Sequence, residues 1–178
     1  RLFVEEQVTI TEQTRQFLKV LSRVPAVRNL NLASCNEFLK SIHQDNPQYS
    51  TIVAANRDGI IDCCAIPLKK SINVTDRSWF KRINESREFV IDHFIISRAA
   101  KKASLPFAYP VFDSDAQLQV AVGAAFDLRH YRTIFQKIPL PRNSVIMVTD
   151  RKGTLLYQSF TEKKCLGKPL SECSGFDV

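Results

Sequence analysis

Arg77, Trp79 and Phe80 stand together in the run Asp76-Arg77-Ser78-Trp79-Phe80, where Asp76 is placed to cap a short helix over residues 77–86. A guanidinium in the first turn of a helix, beside the free backbone N–H groups of that end, can grip a carboxylate through two parallel hydrogen bonds. Indole and phenyl rings can wall such a grip off from water. Phe107 and Tyr109 alternate onto one face of a strand, Asp92 and Phe94 onto one face of another, and Arg98 in the basic turn that follows offers a second cation. All of these side chains are candidates to line one cavity, and the chemistry they offer is recognition of a small polar or anionic molecule. The competing reading makes Trp79 and Phe80 core anchors, pairs Arg77 with Asp76 on the surface and leaves His93 structural. No glycine-rich phosphate loop, G-x-S-x-G or H-E-x-x-H motif, or paired-carboxylate arrangement points to catalysis, and no cofactor is expected.

The elements that must position this set are readable from periodicity and turn residues. Ile10, Thr14, Phe17, Leu21 and Val24 recur at helical steps, which predicts an amphipathic helix over residues 1–24 that stops or bends before Pro25. Such a helix would run ~36 Å, longer than internal packing requires, which suggests a stalk or dimer helix with part of it facing another subunit; an ordinary core helix with a proline stop is the alternative. Ser34 and Glu37 read as a capping box opening a second helix, which Asn46-Pro47 closes. Strands over 49–55 and 60–66 flank the turn Asn56-Arg57-Asp58-Gly59, and further strands are expected over 89–97, 107–112 and 118–128. In the last of these, Ala121, Gly123 and Ala125 share one face, and a row of small side chains leaves room above the sheet for a ligand or a closely packed helix. A short helix over 129–138 ends before Pro139. The hairpin over 145–157 then echoes the first one, with an Arg two places before Gly153 as Arg57 is before Gly59.

Composition restricts the classes. The 178 residues are 44% apolar and 10% aromatic, enough for a folded domain with a sizeable core. The net charge of +7 is spread over scattered pairs such as Lys69-Lys70 and Lys101-Lys102, which read as a solvated surface and not as a nucleic-acid footprint. Nothing approaches a membrane-spanning run or a signal peptide, and Arg1 falls inside the helical pattern, so the sequence reads as a piece of a longer protein. Cys35, Cys63, Cys64, Cys165 and Cys173 contain no C-x-x-C spacing, which disfavours a metal site and leaves free thiols or disulfides open.

Taken in order, the long first helix, NPQYSTIVAANRDGIIDCCAIP, DRSWFKR, FVIDHFIISRAAKKASLPFAYPVFDSD, VAVGAAFDL and SVIMVTDRKGTLLYQSF resemble the Cache family. These are PAS-like extracytoplasmic sensor domains of bacterial histidine kinases, diguanylate cyclases and chemoreceptors. The resemblance implies an α+β fold in which a five-stranded antiparallel sheet, flanked by helices, sits on a long N-terminal helix. It divides the chain into an N-terminal stalk or dimer segment (1–33), a membrane-distal ligand-binding unit (34–140) and the start of a smaller membrane-proximal unit (141–178). It also implies a small-molecule ligand, a homodimer through the first helix, flanking transmembrane helices in the intact protein and a periplasmic or extracellular location. A receptor module that dimerises without a ligand of its own is the alternative. The family's amino-acid motif is matched at Arg77 and Trp79, but its tyrosine falls on Phe94 and its aspartate near Ala125, with Asp127 two places late, so amino-acid ligands are disfavoured. Related sensors carry cysteines on the second helix and second strand, which implies a disulfide between Cys35 and Cys63.

Overall fold

The computed structural model describes residues 2–135, 141, 144–159 and 165–173. Helix α1 (Leu2–Leu21) buries Thr14, Leu18 and Leu21, and leaves Val8 and Val20 exposed on its outer side. Its buried stripe is fastened by a 2.8 Å hydrogen bond between the Thr14 hydroxyl and Tyr49 Oη, and by Phe17 stacked on the Tyr49 ring with centroids 5.3 Å apart. The N-terminal segment does not continue as one helix to residue 33. A two-residue turn after Leu21 gives way to α2 (Pro25–Arg28), and Leu30 at φ +50° breaks the chain again before α3 (Leu32–Asp45). The capping box is not formed: the cap of α3 lies three residues earlier, at Asn31, and Ser34 Oγ donates to the Asn31 carbonyl at 3.3 Å.

The main sheet contains β1 (Tyr49–Asn56), β2 (Ile60–Cys64), β3 (Ile72–Asn73), β4 (Val90–Ile91), β5 (Ile95–Ile96), β6 (Ala103–Phe112) and β7 (Leu118–Asp127). Its order is β3-β2-β1-β7-β6-β4, with β5 also on β6, and every pairing is antiparallel. The strand expected over 89–97 is two short pieces, β4 and β5. With those two counted as one, and the two-residue β3 set aside, the sheet is the expected five-stranded one.

Alternation along the strands divides the core into two layers. Ile52, Ala54, Cys63, Leu105, Phe107, Val120, Val122 and Phe126 meet α1, α3 and α5 (Arg129–Phe135) on one face. On the other, Val53, Ala55, Ile61, Ala108, Leu118 and Ala121 meet the amphipathic helix α4 (Ser78–Ser86) through its Trp79, Phe80 and Ile83. Cys35 of α3 and Cys63 of β2 are joined by a disulfide, Cα atoms 5.9 Å apart, that staples the first layer to the sheet.

A second hairpin, β8 (Met147–Thr149) and β9 (Leu155–Gln158), follows. The echo between the two hairpins has an atomic basis. Asn56 Oδ1 accepts from the backbone N–H of Asp58 and Ile60, both at 3.0 Å, and Asp150 Oδ1 accepts from Lys152 at 2.8 Å and Thr154 at 2.9 Å. Each turn ends on a glycine in the left-handed region, Gly59 at φ +71° and Gly153 at φ +76°, where a side chain would be strained. Among the described residues no helix is long and apolar enough to cross a membrane.

Candidate functional site

The small side chains of β7 open a cavity between the sheet and the α4 layer. In the antiparallel register Ala125 pairs with Pro106 on one side and Thr51 on the other, and Gly123 pairs with Ala108 and Val53. Directly opposed residues share a face, so three adjacent strands turn small or short residues toward the same place. The hollow above them has a volume of about 50 Å³. With one water needing roughly 10–15 Å³ of such space, it has room for a few water-sized groups. An added Cβ at Gly123 would lie 3.3 Å from Val53 Cγ2, so the floor tolerates nothing larger there without moving.

Arg77, Trp79, Arg98 and Ser97 bring the chemistry to this apolar hollow. Arg77 is the cap residue of α4, with extended backbone (φ −74°, ψ 133°), so its side chain leaves the helix start toward the cavity. Among the described residues its guanidinium makes one hydrogen bond, to the Ile96 carbonyl at 3.3 Å, and no carboxylate pairs with it at contact distance. Burial first, and then the nearby Arg98 charge, push Arg77 below its ordinary value, although an arginine so shifted is still a cation at neutral pH. Trp79 is 6% exposed and meets Phe80 edge to face, centroids 5.7 Å apart.

Asp76 does not cap α4. Both its oxygens are taken by Arg98, at 2.7 and 2.5 Å, while Arg98 also donates to the Asn73 carbonyl. Arg98 therefore borders the cavity as a neutralised pair and Arg77 supplies the net charge. The Arg98 hydrogen bonds hold the Asp76 carboxyl at about 2, against the ordinary 3.8. Because the folded-state value is the lower one, the contribution of the pair is present above pH 3.8 and is lost as the pH falls through about 2. Arg98→Ala is expected to return the Asp76 carboxyl to the ordinary range, read from its carbon chemical shift in an acid titration. A midpoint still near 2 in that variant would exclude Arg98 as the cause.

Four of the expected lining residues lie elsewhere. Phe80 packs in the α4 layer against the first hairpin, where a Cβ on Gly59 would come within 3.1 Å of its ring. Asp92 is buried beneath α4, with Oδ2 bound by the Ser78 hydroxyl and Oδ1 3.4 Å from Arg82, since an unpaired buried carboxylate would be costly. Phe94 turns toward the second hairpin and covers Gly167. Tyr109 lies in a surface groove with Arg15, Arg87 and Phe89. Phe107 borders the cavity, but its ring belongs to the helix-side core, stacked on Phe89 with centroids 6.1 Å apart. Phe107 and Tyr109 do share a strand face, as the sequence indicates. That face is the opposite one: β6 turns Pro106 and Ala108 toward the cavity side of the sheet.

Comparison with known proteins places this arrangement. No protein-family profile matches the chain. Its backbone superposes on the sensor domain of the histidine kinase DctB from Vibrio cholerae with a TM-score of 0.70 at 16% identity, covering 97% of this chain and 68% of that one. This is the Cache-like sensor fold. The ligand-binding domain of the Campylobacter jejuni chemoreceptor Tlp3, solved with L-norvaline, matches at TM-score 0.66 and 11% identity over 88% of the chain and 63% of its own length. In sequence, the chain is 22% identical over 132 residues to sporulation kinase D of Bacillus subtilis and spans 26% of the length of that kinase. Within the Cache-like fold the departures at Phe94 and Ala125 have physical substance. Asp127, the nearest acid on β7, is buried and bound by Arg129 at 2.6 Å, with Lys102 3.7 Å away. Among the described residues that line the cavity there is no carboxylate to receive an ammonium group.

Proposed function

We propose that this chain is the ligand-binding part of an extracytoplasmic receptor and that its cavity takes a small organic anion, held through its carboxylate by Arg77 against the Trp79 indole. The observation that carries the reading is a half-buried guanidinium that has, among the described residues, no acidic partner at contact distance and that borders a small apolar hollow with no acid in its described lining. The amino acids in the Tlp3 structures bring an ammonium group for which this cavity offers no acid. Residues 34–140 would form the membrane-distal unit and 141–178 the start of a membrane-proximal one, with transmembrane helices flanking the chain in the intact receptor. Pairing of two copies along α1, where Val8 and Val20 are exposed, would carry the response toward the output domain. A ligand shifts such an equilibrium only by binding one arrangement better than the other, and closure of the Arg77 and Arg98 loops around the anion supplies that difference.

The test is a thermal-shift screen against two- to five-carbon mono- and dicarboxylates, with amines and amino acids as comparison sets. A true ligand at 100 times its Kd stabilises by about 2.7 kcal/mol, which for a chain of this size raises Tm by roughly 5–10 °C. Arg77→Ala is expected to weaken its binding about 30- to 100-fold, the loss of a charge-assisted bidentate contact, with Tm of the free protein within about 2 °C of wild type. A large drop in the Tm of the free variant would make Arg77 structural. Shifts given only by amines would end the anion reading.

A further inference from the structure

Cys165 and Cys173 lie in a small buried cluster with Leu155, separate from the two layers of the main sheet. Residues between them form a loop that folds back on β9. Gly167 N–H donates to the Leu155 carbonyl at 2.8 Å, Leu155 N–H to the Lys168 carbonyl at 2.9 Å, and Leu170 N–H to the Gly153 carbonyl at 2.9 Å. This brings the ends of the loop together, with Cys173 Sγ 4.0 Å from the Cys165 carbonyl oxygen. We propose that Cys165 and Cys173 form a second disulfide, which locks this loop onto Phe94.

The two thiols are neighbours in space as well as in the cluster. The Cys165 side chain is the main cause that pushes the Cys173 thiol up to about 11. Cys64, the other thiol, is in the α4 layer with Sγ 3.4 Å from Thr51 Oγ1, and has neither of these two as a neighbour in its cluster. Cys35–Cys63 is already a disulfide, so the same oxidising surroundings act on the pair.

The oxidant is a low-molecular-weight or protein disulfide. The thiolate of one of the two cysteines attacks one of its sulfurs, forming a mixed disulfide and expelling one thiolate. The sulfur of the other cysteine then attacks the cysteine sulfur of that intermediate, the intramolecular S–S bond forms and the second thiolate leaves. The two protons of the cysteines end on the two departing thiols, and the oxidant is reduced by two electrons. What the new bond holds is a contact between the hairpin and the main sheet. The loop carries Gly167, packed against the Phe94 ring, and Phe94 directly precedes the cavity-lining residue Ile95.

The test uses the wild-type chain equilibrated in glutathione buffers from reducing to oxidising, then denatured and alkylated with N-ethylmaleimide. Where Cys35–Cys63 is closed, the oxidising end is expected to give a single adduct, on Cys64, and a proteolytic map with Cys165 and Cys173 in one cross-linked species. Three adducts at every poise that keeps Cys35–Cys63 closed, or a bridge involving Cys64, would overturn the proposal. Hydrogen exchange supplies the second readout. The Phe94 amide is expected to exchange at least about fivefold more slowly in the oxidised protein than in Cys173→Ser under the same conditions, because locking the loop raises the free energy of local opening. Equal rates would overturn the locking.

Discussion

Replacing Cys35 and Cys63 together by alanine is expected to lower stability by about 3.6 kcal/mol, the chain-entropy value for a bridge closing a separation of 28 residues. For a chain of this length that corresponds to roughly 7–14 °C in Tm, read by calorimetry without reductant. The bridge links α3 to β2, and both sulfurs are fully buried among the side chains that fill the helix-side layer. Its loss therefore frees residues 35–63 in the unfolded chain, and the space left by two fully buried sulfurs adds to the cost. The double variant is the informative one, since a single replacement leaves a thiol able to pair with one of the other three cysteines. A fall of less than about 2 °C would mean that the unfolded chain is restrained by something else, such as residual structure around α3.

The second large effect is expected at Gly167. This residue sits at φ +81°, and an added Cβ would lie 2.4 Å from Phe94 Cζ and 2.7 Å from Phe94 Cε1. Gly153 supplies an internal reference: its φ of +76° is nearly the same, yet a Cβ there would meet nothing within 4 Å. Gly153→Ala is thus expected to cost only the left-handed backbone penalty, about 1–2 kcal/mol. Gly167→Ala adds the displacement of a ring packed against the main core, a further ~1–3 kcal/mol. The difference between the two variants in urea denaturation measures the packing of the loop on Phe94. Equal losses would mean that the ring swings aside freely and that the contact contributes nothing.

How far the sequence foretold these features depends on whether the deciding interaction is local. The small face of β7 was legible because Ala121, Gly123 and Ala125 alternate within one strand, and the register carries that face onto Pro106, Ala108 and Thr51. Applying the same test to β6 would have placed Pro106 and Ala108 over the cavity and sent Phe107 and Tyr109 to the helix layer, because strand parity allows no intermediate answer. Thr51, Ser97 and Ile95 went unnoticed as lining residues because polar or branched residues in strands and turns carry no signal of their own. Asp76 and Ser34 both looked like helix caps. Asp76 was claimed by Arg98, 22 positions away in sequence, and α3 began ahead of Ser34 at Asn31. Phe94 was misplaced for a similar reason: its backbone N–H donates to Asp150 Oδ2 at 3.0 Å, 56 residues further on, and its ring faces Gly167. Periodicity within a segment cannot report a partner that distant.

The borders of the main sheet restrict how copies of the chain can associate. One border is the two-residue β3, and on the other β6 is covered only in part by β4 and β5. Pro106 turns its carbonyl outward there, accepting from Asp92 N–H at 3.0 Å, and Pro110, four residues on, presents the same side of the strand with no N–H to give. A proline at such an interval denies an incoming strand its regular ladder. Among the described residues, extension of the sheet by an incoming strand is thereby disfavoured at that margin, where Pro106 and Pro110 interrupt the run of donors that a new ladder would need.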